Sequence, residues 1–279
     1  MGNDGTFIPL DDLGMVRAQG PDARAFLQGQ LSNDVTRLAP ERSLLAGYHN
    51  PQGRTIALLR LLWLGENDVL AVLPRELAGP VATRLAKFVL RAKVKIADES
   101  AAWHAQGLIG TEPAAESVHA PVGDSRWLIV SHEKKTCEGE RHLWHRLDIE
   151  AGQPQVFADT SEEFVAQMLN LDALDAISFE KGCYTGQEVI ARAHYRGRVK
   201  RRMQRFATVG GILALRPGSS GRLQDGRPFK VVDAIEREDG SCEFLAVTPL
   251  EGATSDSAEP ADSQAVEVRS LPLPYTLPD

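Results

Sequence analysis

The segment from Leu44 to Leu64 constrains the fold of this chain more than any other part of it. Two apolar runs, Leu44 to Tyr48 and Thr55 to Leu64, have the residue composition of β-strands. Between them lies Asn50-Pro51-Gln52-Gly53, which places Pro and Gly where a β-turn needs them. The pattern predicts a hairpin, and the apolar run from Val69 to Leu73 continues the same sheet. The fold must therefore contain a sheet of sequential strands.

Helical patterns alternate with strand patterns over the first two hundred residues. Leu13 to Ala18 is typical of a strand, and Pro21 predicts the first residue of a helix. Apolar residues from Arg75 to Leu90 recur on one helical face. Further strands are predicted over Lys93 to Ala97, Ala105 to Ile109 and Trp127 to Val130. Hairpins mixed with intervening helices predict the α+β class.

The pattern changes near Arg205, where short strands are separated by Gly, Pro and Asp, with Asp239-Gly240 as a hairpin turn. We therefore expect residues 205–279 to form a small C-terminal β-barrel. Residues 1–204 are expected to form an α+β region of two subdomains, split near residue 100 and rejoined through residues 140–204. The small, polar and acidic stretch from Gly252 to Ser263 predicts a mobile loop.

Bulk properties exclude several classes of protein. The chain has 279 residues, and no apolar run reaches the ~20 residues of a membrane span. A net charge of -7 gives no general attraction to nucleic acid or to anionic membranes. The 3 cysteines lie far apart, which argues against a disulfide framework or a zinc knuckle. The N-terminus does not resemble a secretory signal, so we expect a cytoplasmic monomer without membrane contact.

The eight residues from Lys181 to Glu188 contain the strongest candidate for a reactive group. Thr185 and Glu188 have the spacing of a capping box, which predicts a helix that starts there. Cys183 precedes that helix, so the helix dipole and the Lys181 ammonium would both favour the thiolate and lower the pKa of the thiol. From spacing alone, Cys183 could equally be a small buried residue in a glycine-rich turn.

The same eight residues resemble the K-G-C-[FYW]-x-G-Q-E signature of the YgfZ family, the folate-binding relatives of the glycine-cleavage T-protein, an aminomethyltransferase. Gly20 to Asp34, Leu147 to Gly152, Met168 to Leu171 and Leu273 to Tyr275 also resemble segments of that family. The resemblance spans nearly the whole chain. It implies a fold of two α/β subdomains and a C-terminal small β-barrel around a central channel, with tetrahydrofolate or another reduced folate as cofactor.

The resemblance also implies a function and a set of site residues. The family supports iron–sulfur cluster assembly or repair and thereby tRNA modification by methylthiolation. Cys183 would be the reactive group, assisted by Lys181, with no resident metal. Contact with iron–sulfur client enzymes would be transient, because one thiolate cannot hold a cluster. The residues expected to bind the folate are Trp144, Tyr184, Gln187, Glu188, Arg192 and Arg198.

Two of these assignments compete with simpler interpretations. Trp144 would form an aromatic wall for the pterin ring, but a tryptophan is more often a core residue. Some relatives carry a second tryptophan where this chain has Leu13. No acidic residue occurs between Glu188 and Asp225, where nine basic residues lie. This basic run could bind a folate tail, a nucleic-acid backbone or an acidic protein surface, or could be a solvated face.

The T-protein branch of the family carries an acidic pair shortly after the hairpin glycine. In this chain those positions hold Ala57 and Leu58, neither of which can act as an acid or base. We therefore expect no aminomethyltransferase activity. A folate-dependent one-carbon transferase and a module that binds tRNA directly through Arg196 to Arg205 remain as alternatives. His142 and His145 have a spacing compatible with metal binding, but no third ligand is evident.

Overall fold

The computed structural model describes residues 5–278, apart from residues 116, 124, 198, 210–214 and 251–264. Over these residues the predicted α+β class is confirmed. The helices are α1 (Ala23–Gln28), α2 (Arg75–Ala86), α3 (Arg141–Glu150) and α4 (Gln187–Arg196). The strands are β1 (Thr6–Pro9), β2 (Leu13–Gln19), β3 (Leu44–His49), β4 (Thr55–Gly65), β5 (Asp68–Pro74), β6 (Lys95–Asp98), β7 (His104–Ile109), β8 (Val118–Gly123), β9 (Arg126–Ser131), β10 (Arg201–Thr208), β11 (Ser220–Leu223), β12 (Pro228–Glu236), β13 (Cys242–Pro249), β14 (Ala265–Val266) and β15 (Val268–Leu271).

The first sheet has five antiparallel strands in the order β3-β4-β5-β2-β6 and is buried on both faces. Successive side chains of a strand point to opposite faces. In β5, Val69 and Ala71 therefore join the large core with α1 and α2, while Leu70 and Val72 join a second core. This double burial explains why β4 and β5 are almost continuously apolar.

The second sheet has four antiparallel strands in the order β1-β7-β9-β8. It covers the far face of the first sheet, where Met15 and Leu62 meet Leu128 and Trp103. Helix α3 adds Trp144 to the same core. Two sheets packed face to face thus hold α3 beside their common core.

The third sheet has the order β14-β11-β12-β13-β10-β15, with a core that includes Phe206, Phe229 and Phe244. It contains all the C-terminal strands, in keeping with the expected small β-barrel. Its strand β10 begins at Arg201, so the predicted boundary between residues 204 and 205 falls inside that strand. The predicted mobile loop, Gly252 to Ser263, lies outside the described residues.

The predicted hairpin is confirmed, since Gly53 donates its N–H to the Asn50 carbonyl at 2.9 Å and adopts a φ of 72°. The two helix predictions need correction at their ends. Helix α1 begins at Ala23 rather than Pro21, and α2 ends at Ala86 rather than Leu90. Phe88 and Leu90 have exposed fractions of 50% and 88%, so their apolar side chains are not part of a buried helical face. No described helix is long and apolar enough to span a membrane.

Candidate functional site

A cavity of about 100 Å³ lies where the three sheets meet. Leu13 of β2 and Leu58 of β4 line it from the first sheet, and Leu128 of β9 from the second. Asp233 of β12 lines it from the third sheet, and Trp144 from α3. Because every sheet supplies part of the wall, only the assembled molecule can form this site.

Helix α3 supplies four of the lining residues from one face. Arg141, Trp144, His145 and Asp148 follow the spacing i, i+3, i+4 and i+7, which places side chains on the same side of a helix. Of these, the sequence singled out Trp144 for the folate and His145 only as a weak metal candidate. The helical periodicity of the polar residues is the signal that could have identified Arg141 and Asp148.

Trp144 is both a core residue and a wall of the cavity, so the two interpretations of its role are compatible. Its exposed fraction is 4%. The ring packs against Gly107 of β7, where a Cβ atom would lie 2.3 Å from the indole. The Arg126 guanidinium lies 5.1 Å from the ring centroid. Glycine at position 107 and the cation of Arg126 therefore fix the ring where it faces the cavity.

Two carboxylates of the site are held by arginines. Arg141 donates to both oxygens of Asp12, at 2.8 and 2.7 Å, and the Arg141 contact holds the pKa of Asp12 below its usual value despite burial. Arg126 donates to Asp148 at 2.8 Å. Burial outweighs that contact and raises the pKa of the Asp148 carboxyl. The cavity thus holds one firmly ionised carboxylate and one carboxyl that protonates more readily.

The third carboxylate, Asp233, pairs with a histidine. Its Oδ1 lies 2.8 Å from His145 Nε2. Burial opposes the charged imidazole, but the hydrogen bond and charge of Asp233 together raise the pKa of His145. The β12–β13 register shifts between Val231 and Asp233, and such a bulge can redirect a side chain. The pair connects α3 to the third sheet across the cavity.

Ala57 and Leu58, at the positions expected to hold an acidic pair in the T-protein branch, have different surroundings in the structure. Leu58 lines the cavity, whereas Ala57 is fully buried in the large core. Neither offers a proton-transferring group. Leu13, at the position where some relatives have tryptophan, also lines the cavity. The wall formed by Leu13 and Leu58 is aliphatic, and the polar groups come from other elements.

Lys181 lies inside the protein rather than beside a free thiol. Its Nζ donates to the carbonyl oxygens of Gln28, Leu31 and Asn33 at 2.7, 2.6 and 2.9 Å. An ammonium group has three donors, so all of them are used. The Lys181 ammonium therefore has no donor left for a hydrogen bond to the Cys183 thiol. Burial lowers the pKa of Lys181 to about 8.

The predicted capping box is wrong. Helix α4 begins at Gln187, its N-cap is Gly186, and no side chain caps it. Gly186 has a φ of 84°, and a Cβ atom there would lie 2.5 Å from the Asn50 carbonyl oxygen. The close approach to the hairpin turn and the left-handed backbone both require glycine. Because Gly186 occupies the N-cap, Thr185 lies one residue too early for that role.

Cys183 lies on the surface, apart from the cavity. It is exposed, as are Glu188 and Arg192, whereas Tyr184 is buried under the Lys181 ammonium. No described residue of the signature or of α4 lines the cavity, so Tyr184, Gln187, Glu188 and Arg192 are not brought together with Trp144. Arg198 lies outside the described residues.

Strand β4 connects the two locations. Gly53, in the hairpin turn just before this strand, lies close to Val189 of α4, while Leu58 of the strand lines the cavity. At a strand rise of about 3.3 Å per residue, Leu58 lies roughly 10 Å along the strand from its first residue, Thr55. The cavity and the signature therefore lie at different points along the same hairpin.

The basic run after the signature is partly internal. Arg202 donates to both oxygens of Asp172 at 2.9 Å, and Arg205 pairs with Glu243. These two arginines are neutralised within the fold and do not form a surface for nucleic acid. Arg192 is exposed on α4. Among the described residues, no group of three or more His, Cys, Asp or Glu could hold a metal ion.

The fold defined by these sheets is that of the glycine-cleavage aminomethyltransferases. The crystal structure of aminomethyltransferase T from Bartonella henselae matches it with a TM-score of 0.66 at 13% identity, over 90% of this chain and 81% of that one. At this identity the likeness concerns the fold alone. No family model matches the sequence.

Sequence relatives define the family. The tRNA-modifying protein YgfZ of Pectobacterium carotovorum is 32% identical, over 98% of this chain and 92% of that protein. The YgfZ protein of Escherichia coli is 31% identical, over 98% of this chain and 94% of that protein. The chain belongs to the YgfZ family of tRNA-modifying proteins.

Proposed function

We propose that this protein binds a reduced folate in the cavity beside Trp144. We also propose that, through Cys183, it supports the assembly or repair of iron–sulfur clusters on which tRNA methylthiolation depends. The observation that carries the proposal is the cavity itself. An indole and several carboxylates meet there at the junction of three sheets, in a fold shared with an aminomethyltransferase. Membership of the YgfZ family supports the connection to tRNA modification.

The residues of the cavity suit a pterin ring. A flat heterocycle can stack on Trp144, and its neighbouring N–H groups can donate to a carboxylate such as Asp148. The inner cavity of about 100 Å³ is smaller than the ~300–1,000 Å³ of typical ligand sites. An adjoining outer cavity of about 270 Å³ shares four lining residues with it, Leu45, Arg60, Val122 and Gln153. A ligand the size of a folate would therefore occupy both spaces.

Cys183 would act outside the cavity. Its exposure gives a protein partner direct access to the thiol. A single thiolate supplies too few ligands for an iron–sulfur cluster, so the client enzyme must supply the others. The contact would be transient, and the folate would act at a separate place in the same molecule.

Two variants distinguish the contribution of the cavity from that of the thiol. We expect Trp144→Ala to weaken tetrahydrofolate binding about tenfold or more, because it removes the stacking surface. We expect Cys183→Ala to bind tetrahydrofolate like the wild type yet fail to restore iron–sulfur enzyme activity in cells that lack the protein. Calorimetry measures the first effect, and a complementation assay measures the second.

Circular dichroism of both variants controls for folding, since Trp144 is buried. If the wild-type protein bound no reduced folate, the proposed ligand would be wrong. Full complementation by Cys183→Ala would refute the role of the thiol and leave the folate site untouched.

A folate-dependent one-carbon transferase is the second candidate, and one observation favours it. The Asp148 carboxyl, with its raised pKa, could exchange a proton with a bound folate even though Leu58 cannot. Incubation of the protein with methylene-tetrahydrofolate and amine or thiol acceptors tests this candidate. Product formed by the wild type but not by Asp148→Asn would support this candidate function. If the wild type formed no product, the function would be excluded for those acceptors.

A further inference from the structure

Arg60 of β4 differs from Arg141, the other arginine that lines the inner cavity, and from Arg126, which contacts Trp144. Arg126 donates to Asp148 at 2.8 Å, and Arg141 donates to Asp12 at 2.7 Å. No carboxylate of the described residues forms an ion pair with Arg60. Of the two arginines that line the inner cavity, Arg141 is therefore matched by an anion of the protein and Arg60 is not.

The hydrogen bonds of Arg60 are also weak. Its Nη1 lies 3.5 Å from the Pro121 carbonyl oxygen, and its Nη2 lies 3.4 Å from Gln153 Oε1. Normal N–H···O distances are about 2.7 to 3.2 Å. Burial lowers the pKa of Arg60 to about 10, although Asp148 opposes this effect from a distance. A partly buried guanidinium with five donors and only long contacts has unused capacity to bind an anion.

Arg60 also has a distinctive place, because it lines both cavities. The inner cavity holds Trp144, and the outer one is lined by Asn33, Arg42 and Ser43. A ligand that extends from the indole toward the outer cavity must pass the guanidinium. The position therefore suits an anionic group some distance from the flat ring of the same ligand.

We infer that Arg60 binds a carboxylate of a ligand that spans the two cavities. The planar fork of the guanidinium matches the two oxygens of a carboxylate and would exchange its long contacts for two short ones. The identity of the ring rests on the proposed function, and for a reduced folate the carboxylate belongs to the glutamate tail. The tail would then bind at Arg60 rather than at Arg192 on α4.

Three ligands test the ring and the carboxylates of such a molecule separately. Tetrahydrofolate has the ring and the carboxylates, p-aminobenzoyl-glutamate has only the carboxylates, and a tetrahydropterin has only the ring. Calorimetry compares their binding to the wild type, to Arg60→Gln and to Arg146→Gln. The last variant is the matched control, because it removes the same charge from α3 at a half-exposed side chain outside both cavities.

We expect Arg60→Gln to weaken the binding of tetrahydrofolate and of p-aminobenzoyl-glutamate about tenfold, which is the effect of losing a charge-assisted hydrogen bond. The affinity for tetrahydropterin should not change. Arg146→Gln should change none of the three. Wild-type affinity of Arg60→Gln for both carboxylate ligands would overturn the inference, as would a wild type that binds neither of them.

The same measurements distinguish failure of this inference from failure of the proposed function. Equal wild-type affinity for tetrahydropterin and tetrahydrofolate would retain the pterin site and refute Arg60 as the carboxylate site. Binding of p-aminobenzoyl-glutamate that depends on Arg60, with no binding of tetrahydropterin, would retain the carboxylate site and refute the pterin site.

Discussion

Lys181 is the residue of the signature whose structural role is clearest. Its ammonium joins the signature to the carbonyls of Gln28, Leu31 and Asn33, about 150 residues earlier in the chain. The Asn33 side chain strengthens the same contact by donating to the Asp175 carbonyl at 2.6 Å. The signature and the segment from Gln28 to Asn33, which only the family resemblance had linked, therefore pack together. This packing holds the loop of Cys183 at the surface.

This role predicts the effect of removing the ammonium. Lys181→Met leaves three buried carbonyls without a donor, so we expect the free energy of unfolding to fall by about 3 kcal/mol, at ~1 kcal/mol for each lost hydrogen bond. Urea unfolding measures the change. Cys183→Ala, in the same loop but exposed, is the control and should change stability by less than about 0.5 kcal/mol. Unchanged stability of Lys181→Met would show that the three contacts contribute nothing.

At the scale of elements, α3 is connected to the third sheet through the contact of His145 with Asp233. The pKa of His145 is raised above the 6.5 of the unfolded chain, so the folded state binds this proton more tightly. The resulting stabilisation is fully present below pH 6.5 and is lost as the pH rises through the folded pKa. The contact between α3 and β12 should therefore weaken in mildly alkaline solution.

Asp233→Asn tests this pH dependence. We expect the wild type to exceed the variant in stability by more at pH 6 than at pH 8, because only the protonated histidine gains from the carboxylate. Urea unfolding at the two pH values measures the difference. His142→Gln is the matched control on the same helix, since its ring contacts the Glu236 backbone carbonyl and no carboxylate of the described residues. A difference between wild type and Asp233→Asn that is the same at both pH values would contradict the prediction.

The elements also show which features the sequence could reveal. The hairpin of β3 and β4 was predictable because its turn residues and strand pattern are local. Strand β8 was not predicted, since Val118–Gly123 includes Pro121 and Gly123 and lies at the edge of its sheet. The capping box failed because a glycine in a left-handed conformation replaced a side-chain cap, which spacing alone cannot distinguish.

At the scale of the whole molecule, the site depends on topology. Asp12, Arg60, Asp148 and Asp233 come from four distant parts of the chain and meet only because three sheets share one junction. No local pattern could have grouped them, whereas family resemblance directed attention to Trp144 and Leu13, both of which line the cavity. The resemblance also grouped Trp144 with residues of α4, whereas none of those described residues lines the cavity in the structure.

A ligand at this junction should stabilise all three sheets together. At a tetrahydrofolate concentration 100 times the dissociation constant, we expect about 2.7 kcal/mol of added stability. Amide hydrogen exchange should slow in β4, β9 and β12, one strand from each sheet, because each supplies part of the cavity wall. Trp144→Ala at the same folate concentration is the control and should show little slowing. Slower exchange confined to the first two sheets, with β12 unchanged, would place the ligand away from the junction.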